Sequence, residues 1–585
     1  MLGRKIKYKN QEIEPDEIFL DSSNLPEFDV HQFEGRIEKP ISKKTAYAVL
    51  YIFFLLALSF LFQAGVLQIA RGALYLEVSK NNHLKQIPIF SNRGVIYDKN
   101  DTLLAWNAIA EDEKDFASRK YTDLSGLSHI LGYVSYPAKD SSGFYYRSNY
   151  IGEGGVEESY NLILEGEHGL KITEVNAKGE IISESLQKPP KDGETLRLSV
   201  DADLTHKLYE IIRSTSEKVG FEGGAGIIMN VKNGEIIAMT SYPEFDSAIM
   251  SEGRDVTTIQ KFLTDSRKPF LNRAISGLYT PGSIIKPFIA MAALNEKVIS
   301  PYKEILSTGS IKIANPYVPG EYTIFNDWKA HGLVDMRRAL AVSSNVYFFE
   351  IGGGYAGQKG IGIANILKYS KIFGIGEIAG IDISGEVEGT IPSPEWKAEN
   401  FDGEIWRVGD TYNTAIGQYG FQVTALQMIR AIASVANGGV LPVPHLVEGQ
   451  GKPGEKLNMP TSYFEIVREG MRQGTLSGTG TGLNVPYLKV ATKTGTAEIG
   501  TLSKKYVNSW VTGFFPYDNP TYAFIVVMDK GPRGNLIGGV AVMRQLLDWM
   551  YYNTPEYFLG TEESLEVLPE VSGGELPTQP NEIGD

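Results

Sequence analysis

The chain has 585 residues, 42% hydrophobic and 22% charged, with a formal net charge of -14. That length allows several domains, and the acidic balance argues against a nucleic-acid partner, which calls for a basic footprint. There is no cysteine, which excludes disulfides, thiolate metal sites, cysteine nucleophiles and a lipoprotein anchor.

Residues 1–44 are polar and mixed in charge, and read as a short, disordered cytoplasmic tail. Residues 45–70 follow. From Thr45 to Ala70 no residue is charged, and Tyr51-Ile52-Phe53-Phe54-Leu55-Leu56 lies inside the run. About 20 apolar residues suffice to cross a bilayer core, so the segment is a predicted transmembrane anchor. Lys39, Lys43 and Lys44 before it and Arg71 after it favour an N-terminus inside, an asymmetry that Lys80 and Lys85 weaken. The alternative is a cleaved signal peptide. The apolar run and the leader are long for one, and no small-residue cleavage site follows. Nearly everything after Arg71 is then placed on the outer side.

Residues 71–195 contain short β-like runs broken by Gly and Asn, such as Gly94-Val95-Ile96-Tyr97 and Gly169-Leu170-Lys171-Ile172-Thr173. They predict a small, irregular, mostly β module that ends in the linker Lys188-Pro189-Pro190-Lys191-Asp192-Gly193. A larger domain is expected over 196–555. Leu204–Val219 has helical periodicity. Ala225–Met229 and Glu235–Met239 flank Asn233-Gly234 and read as a hairpin with an Asn-Gly turn. A helix is expected over Ser283–Leu294, strands over Trp510–Phe515 and Tyr522–Met528, and a closing helix over Val540–Tyr551. Strands at both ends with helices between predict an α+β domain whose sheet joins distant parts of the chain. Residues 556–585 read as an acidic disordered tail, with no Lys or Arg from 561 onward.

Three short motifs carry candidate chemistry. In Ser283-Ile284-Ile285-Lys286, residues three apart share a helix face, so Lys286 can reach the Ser283 hydroxyl. A serine is a poor nucleophile until a base takes its proton. A lysine serves as that base only when burial or a neighbouring cation lowers its pKa. The helix start also places the Ser283 N–H where an oxyanion can develop. In Ser343-Ser344-Asn345, the first hydroxyl can relay a proton and the amide can hold Lys286 and a carbonyl. In Lys493-Thr494-Gly495-Thr496, just after the β-like Leu488-Lys489-Val490, a cation and two hydroxyls face a carboxylate. Gly495 admits a substrate backbone, and the Thr496 N–H is a second oxyanion donor. Each motif alone is common on solvated helices, turns and strand ends. Their order and spread are informative.

Together they match the Ser-x-x-Lys, Ser-x-Asn, Lys-Thr-Gly signature of penicillin-binding proteins and serine β-lactamases. With seven histidines and no Gly-x-Ser-x-Gly elbow, a Ser-His-Asp enzyme fits poorly. The resemblance extends from the anchor to about residue 551. Arg93-Gly94-Val95-Ile96-Tyr97-Asp98 and Gly155-Val156-Glu157 resemble the N-terminal motifs of class B penicillin-binding proteins. Asn272-Arg273-Ala274 and Tyr279-Thr280-Pro281-Gly282-Ser283 resemble their run into the nucleophile. Pro392–Lys397, Gly409-Asp410-Thr411 and Ala415–Gln418 resemble the elongation-type branch. The resemblance implies a penicillin-binding/serine β-lactamase-like fold, an antiparallel sheet flanked by helices, behind a single anchor and a non-catalytic pedestal.

It implies that Ser283 attacks the D-Ala-D-Ala carbonyl of a peptidoglycan stem peptide, with Lys286 as base and Ser343 and Asn345 as relay and orienting pair. Lys493, Thr494 and Thr496 then hold the terminal carboxylate, Gly495 lines the strand, and an amine of a second stem peptide resolves the acyl-enzyme. β-Lactams acylate the same serine. A membrane-embedded glycan polymerase is the expected partner, the bacterial cell membrane the expected location, and no cofactor is implied. The chain departs from the pattern in four places. The stretch between Ala105 and His129 is short, so the pedestal head is largely missing. Asn345 stands where several elongation-type members have Asp, and Ala425 where Pro is usual. No cysteine accompanies Asp327-Trp328 and His331, so no metal is expected and those residues read as loop or structural. A D,D-carboxypeptidase and a non-catalytic cell-wall scaffold are the alternatives; a β-lactamase or a β-lactam sensor fits the anchor and short tail less well.

Overall fold

The computed structural model describes residues 42–76, 84–109, 115–141, 145–175, 181–315, 318–500, 505–534 and 537–558. The tails expected over 1–44 and 556–585 fall outside these, save for their last and first three residues. The chain divides into two compact units, residues 1–85 with 174–183, and residues 86–173 with 184–585. In the first, helix α1 (Lys43–Gly65) is capped by Ser42 and continues as a π-helical turn over Val66–Ala70. It is long and apolar enough to cross a membrane.

The second unit opens with a small sheet. Strands β1 (Ile96–Tyr97), β2 (Leu103–Ala108) and β3 (Ser118–Tyr121) are joined by β4 (Leu196–Arg197), which pairs parallel to β1. Only residues 109–117 separate β2 from β3, which pair from Ala105↔Tyr121 to Ala108↔Ser118. The stretch expected to be short is thus a connection between paired strands, of which residues 110–114 lie outside the described residues. The two N-terminal motifs meet here. Arg93 Nε lies 2.5 Å from Glu157 Oε2, and Arg119 Nε 2.8 Å from Glu157 Oε1, with all three side chains fully buried. Burial alone would raise the Glu157 carboxyl; Arg119 and Arg93 overcome it and hold the carboxyl below its usual range.

The larger sheet has five antiparallel strands: β5 (Gly223–Asn230), β6 (Ile236–Tyr242), β7 (Ala491–Gly500), β8 (Lys505–Phe515) and β9 (Tyr522–Pro532), in the order β6-β5-β9-β8-β7. The β5–β9 ladder, Ala225↔Val527 through Asn230↔Tyr522, joins the two ends of the domain as expected. Strands β5 and β6 and most of β9 are buried on both faces, and side chains alternate between two cores as a period of two requires. Ala225, Ile227, Met229, Ala523, Ile525 and Val527 face one core. Ile228, Phe524, Val526 and Met528 face the other, against helices α2 (Ala202–Val219) and the C-terminal helix at Gly539–Asn553.

Two local expectations change. The β5–β6 connection is longer than a two-residue Asn-Gly turn. Gly234 alone takes positive φ, +86°, and the Asn233 side chain accepts from the Glu235 N–H. Leu488-Lys489-Val490 precede the strand, which begins at Ala491, so the third motif lies inside β7.

Glu157→Gln leaves two buried guanidinium groups without their shared anion and is expected to cost about 3–5 kcal/mol. Chemical denaturation of the extramembrane part, native against variant, reads this directly.

Candidate active site

Four elements bring the motifs together. The first is the turn into helix α3 (Lys286–Asn295), which opens as a 3-10 turn over Gly282–Ile285. In a 3-10 turn positions i and i+3 eclipse. Lys286 therefore stands over Ser283, and its N–H donates to the Ser283 carbonyl. Gly282 takes φ +55°, and its N–H donates to the Gly417 carbonyl at 2.9 Å. Helix α3 is buried from Lys286 to Leu294, and Lys286 is its only charged residue.

The second motif is the joint between helix α4 (Met336–Val342) and helix α5 (Asn345–Gly353). Ser343 ends α4 in the left-handed region, φ +58°, and Ser344 caps α5, accepting from the Tyr347 N–H. A short polar side chain is what such a cap needs. Beneath it lies Asp327. Its Oδ2 accepts from Ser344 Oγ at 2.8 Å, from Ser307 Oγ at 3.2 Å and from the Val346 N–H at 3.0 Å. Burial would raise the Asp327 carboxyl; the N–H groups of Asn345 and Val346 and the Ser344 hydroxyl outweigh it and hold it below its usual range.

The third motif lies on β7, an edge strand whose one partner is β8. Its free edge passes the nucleophile turn. A Cβ at Gly495 would come within 2.9 Å of Ile284 Cγ2 and 3.0 Å of the Pro281 carbonyl, so only glycine fits there. Trp510 on β8 donates its indole N–H to the Thr280 carbonyl at 3.0 Å, tying the run into Ser283 to the sheet.

At the centre are two buried lysines around one hydroxyl. Lys286 Nζ donates to Ser343 O at 2.8 Å, to Asn345 Oδ1 at 2.7 Å and to Ser343 Oγ at 3.3 Å. Lys493 Nζ donates to the same Ser343 Oγ at 2.8 Å and to Thr494 O at 2.8 Å. Burial brings Lys286 down to about 7, against the pull of Asp327. Burial, and then Lys286, lowers Lys493 as well. Such a pair titrates as a unit.

Lys286, Ser343, Asn345 and Lys493 thus converge through their side chains, and Ser283 is joined to Lys286 through its backbone carbonyl. Ser283 is half-buried at the turn, and Thr496 is exposed on β7. The Thr494 hydroxyl is turned to Thr479 Oγ1, 2.6 Å away. Asp327 is a structural residue, yet one that carries the second motif. Sequence reading did not single out Thr479 or Trp510, and neither lies in a pattern that would have marked it. His331 Nε2 lies 3.6 Å from Asp327 Oδ1. Among the described residues no three His, Cys, Asp or Glu side chains are grouped to hold a metal.

A family model described as the penicillin binding protein transpeptidase domain matches residues 224–548, and one described as the penicillin-binding protein dimerisation domain matches 113–198. The chain is 27% identical over 515 residues to the peptidoglycan D,D-transpeptidase MrdA of Escherichia coli (strain K12), covering 82% of this chain and 78% of that protein. The structure of penicillin-binding protein PBP2 in complex with MreC from Helicobacter pylori matches with a TM-score of 0.67 at 25% identity, covering 80% of this chain and 99% of that one. PBP2 of Pseudomonas aeruginosa in complex with WCK 5153 matches with a TM-score of 0.66 at 26% identity, covering 82% and 99%.

Asp327→Asn replaces an acceptor that three donors converge on and is expected to cost about 1–3 kcal/mol. The native carboxyl, held below its usual value, contributes stability that is present above the unfolded pKa and lost as pH falls through the folded one. Denaturation of native and Asp327→Asn protein should therefore converge toward low pH.

Proposed function

Since the chain belongs to the penicillin-binding protein transpeptidases, we propose that it is a membrane-anchored peptidoglycan D,D-transpeptidase that cross-links stem peptides through an acyl-enzyme on Ser283. The observation that carries this reading is the buried Lys286, poised near neutrality beside Ser343 and Lys493.

Ser283 Oγ attacks the carbonyl between the two D-Ala residues, and Lys286 takes its proton. The oxyanion develops against the N–H groups of Ser283 and Thr496, donors fixed before the reaction. The substrate backbone pairs with the free edge of β7; Gly495 there makes room for the turn at Pro281 and Ile284 rather than for the substrate backbone expected from the sequence. Its terminal carboxylate meets Lys493, with Thr494 and Thr496 beside it. That anion raises Lys493 toward its charged form, and the new cation in turn keeps Lys286 neutral. Substrate binding thus sets the proton distribution that a base needs. The proton on Lys286 then passes through Ser343 Oγ to the departing D-Ala amine, and the C–N bond breaks. Asn345 orients Lys286 throughout. An amine of a second stem peptide attacks the ester, its proton returns to Ser283, and the cross-link is released. A β-lactam acylates Ser283 by the same first step.

The anchor α1 fits a single pass through the bacterial cell membrane, N-terminus inside and catalytic domain outside. A single-span chain whose catalytic unit polymerises no glycan fits a membrane-embedded glycan polymerase as partner. The pedestal at 71–195 and the transpeptidase domain at 196–555 are the domains of this reading.

Labelling with a fluorescent penicillin is expected in the native protein and absent in Ser283→Ala; labelling retained in the variant would overturn the assignment. Release of D-Ala with formation of a dimeric peptide, not of hydrolysed monomer alone, separates transpeptidase from carboxypeptidase. The acylation rate is expected to rise with pH through about 7 and level off above it, because the base must be unprotonated. A flat profile between pH 5 and 8, read by stopped-flow acylation at about those limits, would remove Lys286 as the base.

A further inference from the structure

Strands Ser310–Ala314 and Tyr322–Asn326 form a two-stranded ribbon outside the main sheet. Its register pairs Ser310 with Asn326, Lys312 with Ile324 and Ala314 with Tyr322 on one face, and Ile311 with Phe325 on the other. The Ile311–Phe325 face is packed inward. Ile311 is buried, and the Phe325 ring lies 5.9 Å from Phe349 of α5 and 5.1 Å from Tyr412. The opposite face meets solvent, where a half-buried ribbon ordinarily carries polar residues. It carries Ile324, 51% exposed, and Tyr322, 59% exposed, with the exposed Lys312 across from Ile324.

Two hydrogen bonds join this region to the reaction centre. Asn345, whose Oδ1 holds Lys286, donates from Nδ2 to the Asn326 carbonyl at 3.3 Å. Trp328 is 55% exposed, and its indole N–H donates at 3.2 Å to the carbonyl of Val342, the residue before Ser343. The bond holds the ring by its edge. Lys329 Nζ lies 4.5 Å from the ring centre, so the face suits an ammonium on a methylene chain.

The chemistry selects the occupant. In acylation the departing amine takes its proton at Ser343 Oγ. The attacking amine follows that path in reverse. It forms the new C–N bond, its proton passes through Ser343 to Lys286 and on to Ser283 Oγ, and the ester C–O bond breaks. The donor stays on Ser283 along β7 meanwhile, so the body of the acceptor leaves along the second motif, toward Trp328 and the ribbon. We propose that the exposed face of this ribbon, with Trp328, is the docking surface for the acceptor stem peptide. Trp328 takes the methylenes of the amine-bearing side chain, Ile324 and Tyr322 take alanine methyl groups, and Lys312 takes a carboxylate. The proposal rests on the cross-linking reading above. Tyr322 stands four residues of strand from Asn326, roughly 13 Å, the length of about four extended residues of stem. In a chain of net charge -14, an anionic stem needs a local cation such as Lys312.

The test uses full-length protein in detergent, a synthetic donor ending in D-Ala-D-Ala, and a stem-peptide acceptor with a free side-chain amine. Dimer and hydrolysed donor are measured against acceptor concentration, per active site titrated with fluorescent penicillin. The double variant Tyr322→Thr/Ile324→Thr keeps strand-forming side chains. It is expected to need about tenfold more acceptor for half-maximal dimer formation, the weight of a modest apolar patch, with penicillin acylating at the native rate. Lys312→Ala is expected to weaken use of the carboxylate acceptor and to leave an amidated acceptor unaffected. An unchanged acceptor requirement in the double variant overturns the docking surface. So does acylation that falls in step with cross-linking, which marks a structural role. Equal effects of Lys312→Ala on both acceptors overturn the carboxylate contact. If the double variant gives no titratable sites, Ile324→Thr alone decides by the same measure. D-Ala release without dimer from the native protein overturns the cross-linking reading and the docking surface with it, whereas absence of penicillin labelling overturns the reading of Ser283.

Discussion

Two ammonium groups donating to one buried hydroxyl form the constraint on which the site depends. Ser343 Oγ lies 2.8 Å from Lys493 Nζ and 3.3 Å from Lys286 Nζ. Taking one cation out of water is costly, and taking two into the same place costs more still. Burial therefore disfavours the charged form of both lysines and lowers each below its usual range. What would be an electrostatic fault in a structural core becomes the source of a base in a reaction centre. Lys286 has the more complete set of acceptors, the Ser343 carbonyl and the Asn345 amide as well as the hydroxyl. Lys493 sits on an edge strand, where a substrate anion can approach it.

Holding that cluster is the task of the second motif. A joint between two helices leaves orphan carbonyls on one side and orphan N–H groups on the other. Here the carbonyl of Ser343 is used by Lys286, and the N–H of Val346 by Asp327. Asp327 thus does two things at once. It fixes the start of α5, and its charge opposes the loss of the Lys286 proton. Burial and Asp327 thus act on Lys286 in opposition, and burial prevails.

Much of this was legible in the sequence, and the reasons are particular. The motif order could be read because Ser-x-x-Lys needs one helical turn and Lys-Thr-Gly needs a strand. The β5–β9 pairing could be anticipated because both runs are apolar and short, with helical sequence between them. Arg93 and Glu157 stood out as motif residues, but their meeting as a buried triad with Arg119 is a matter of three-dimensional packing. Thr479 reaches Thr494 from a Gly-rich turn that carries no pattern of its own. The strand around the third motif was placed too early because Leu488-Lys489-Val490 has strand composition; of these, Leu488 makes only an isolated bridge to Val485, and the strand begins at Ala491. Side-chain alternation announces strands, but a strand's ends depend on what lies beside it.

The position of the chemistry follows from the sheet. The central strands of the sheet are buried on both faces, whereas β7 has a free edge and carries the exposed residues Thr496, Glu498 and Gly500. A nucleophile must then be brought to that edge by an element rigid enough to hold it. Helix α3 meets that need by being apolar and buried along its length, with Phe288, Ile289, Met291 and Leu294 in the core. A helix so buried has room for one charged residue at its start, and burial there lowers a lysine whatever else surrounds it. The depressed Lys286 is therefore a consequence of how the nucleophile is positioned. The fold that places Ser283 at the edge also tunes its base.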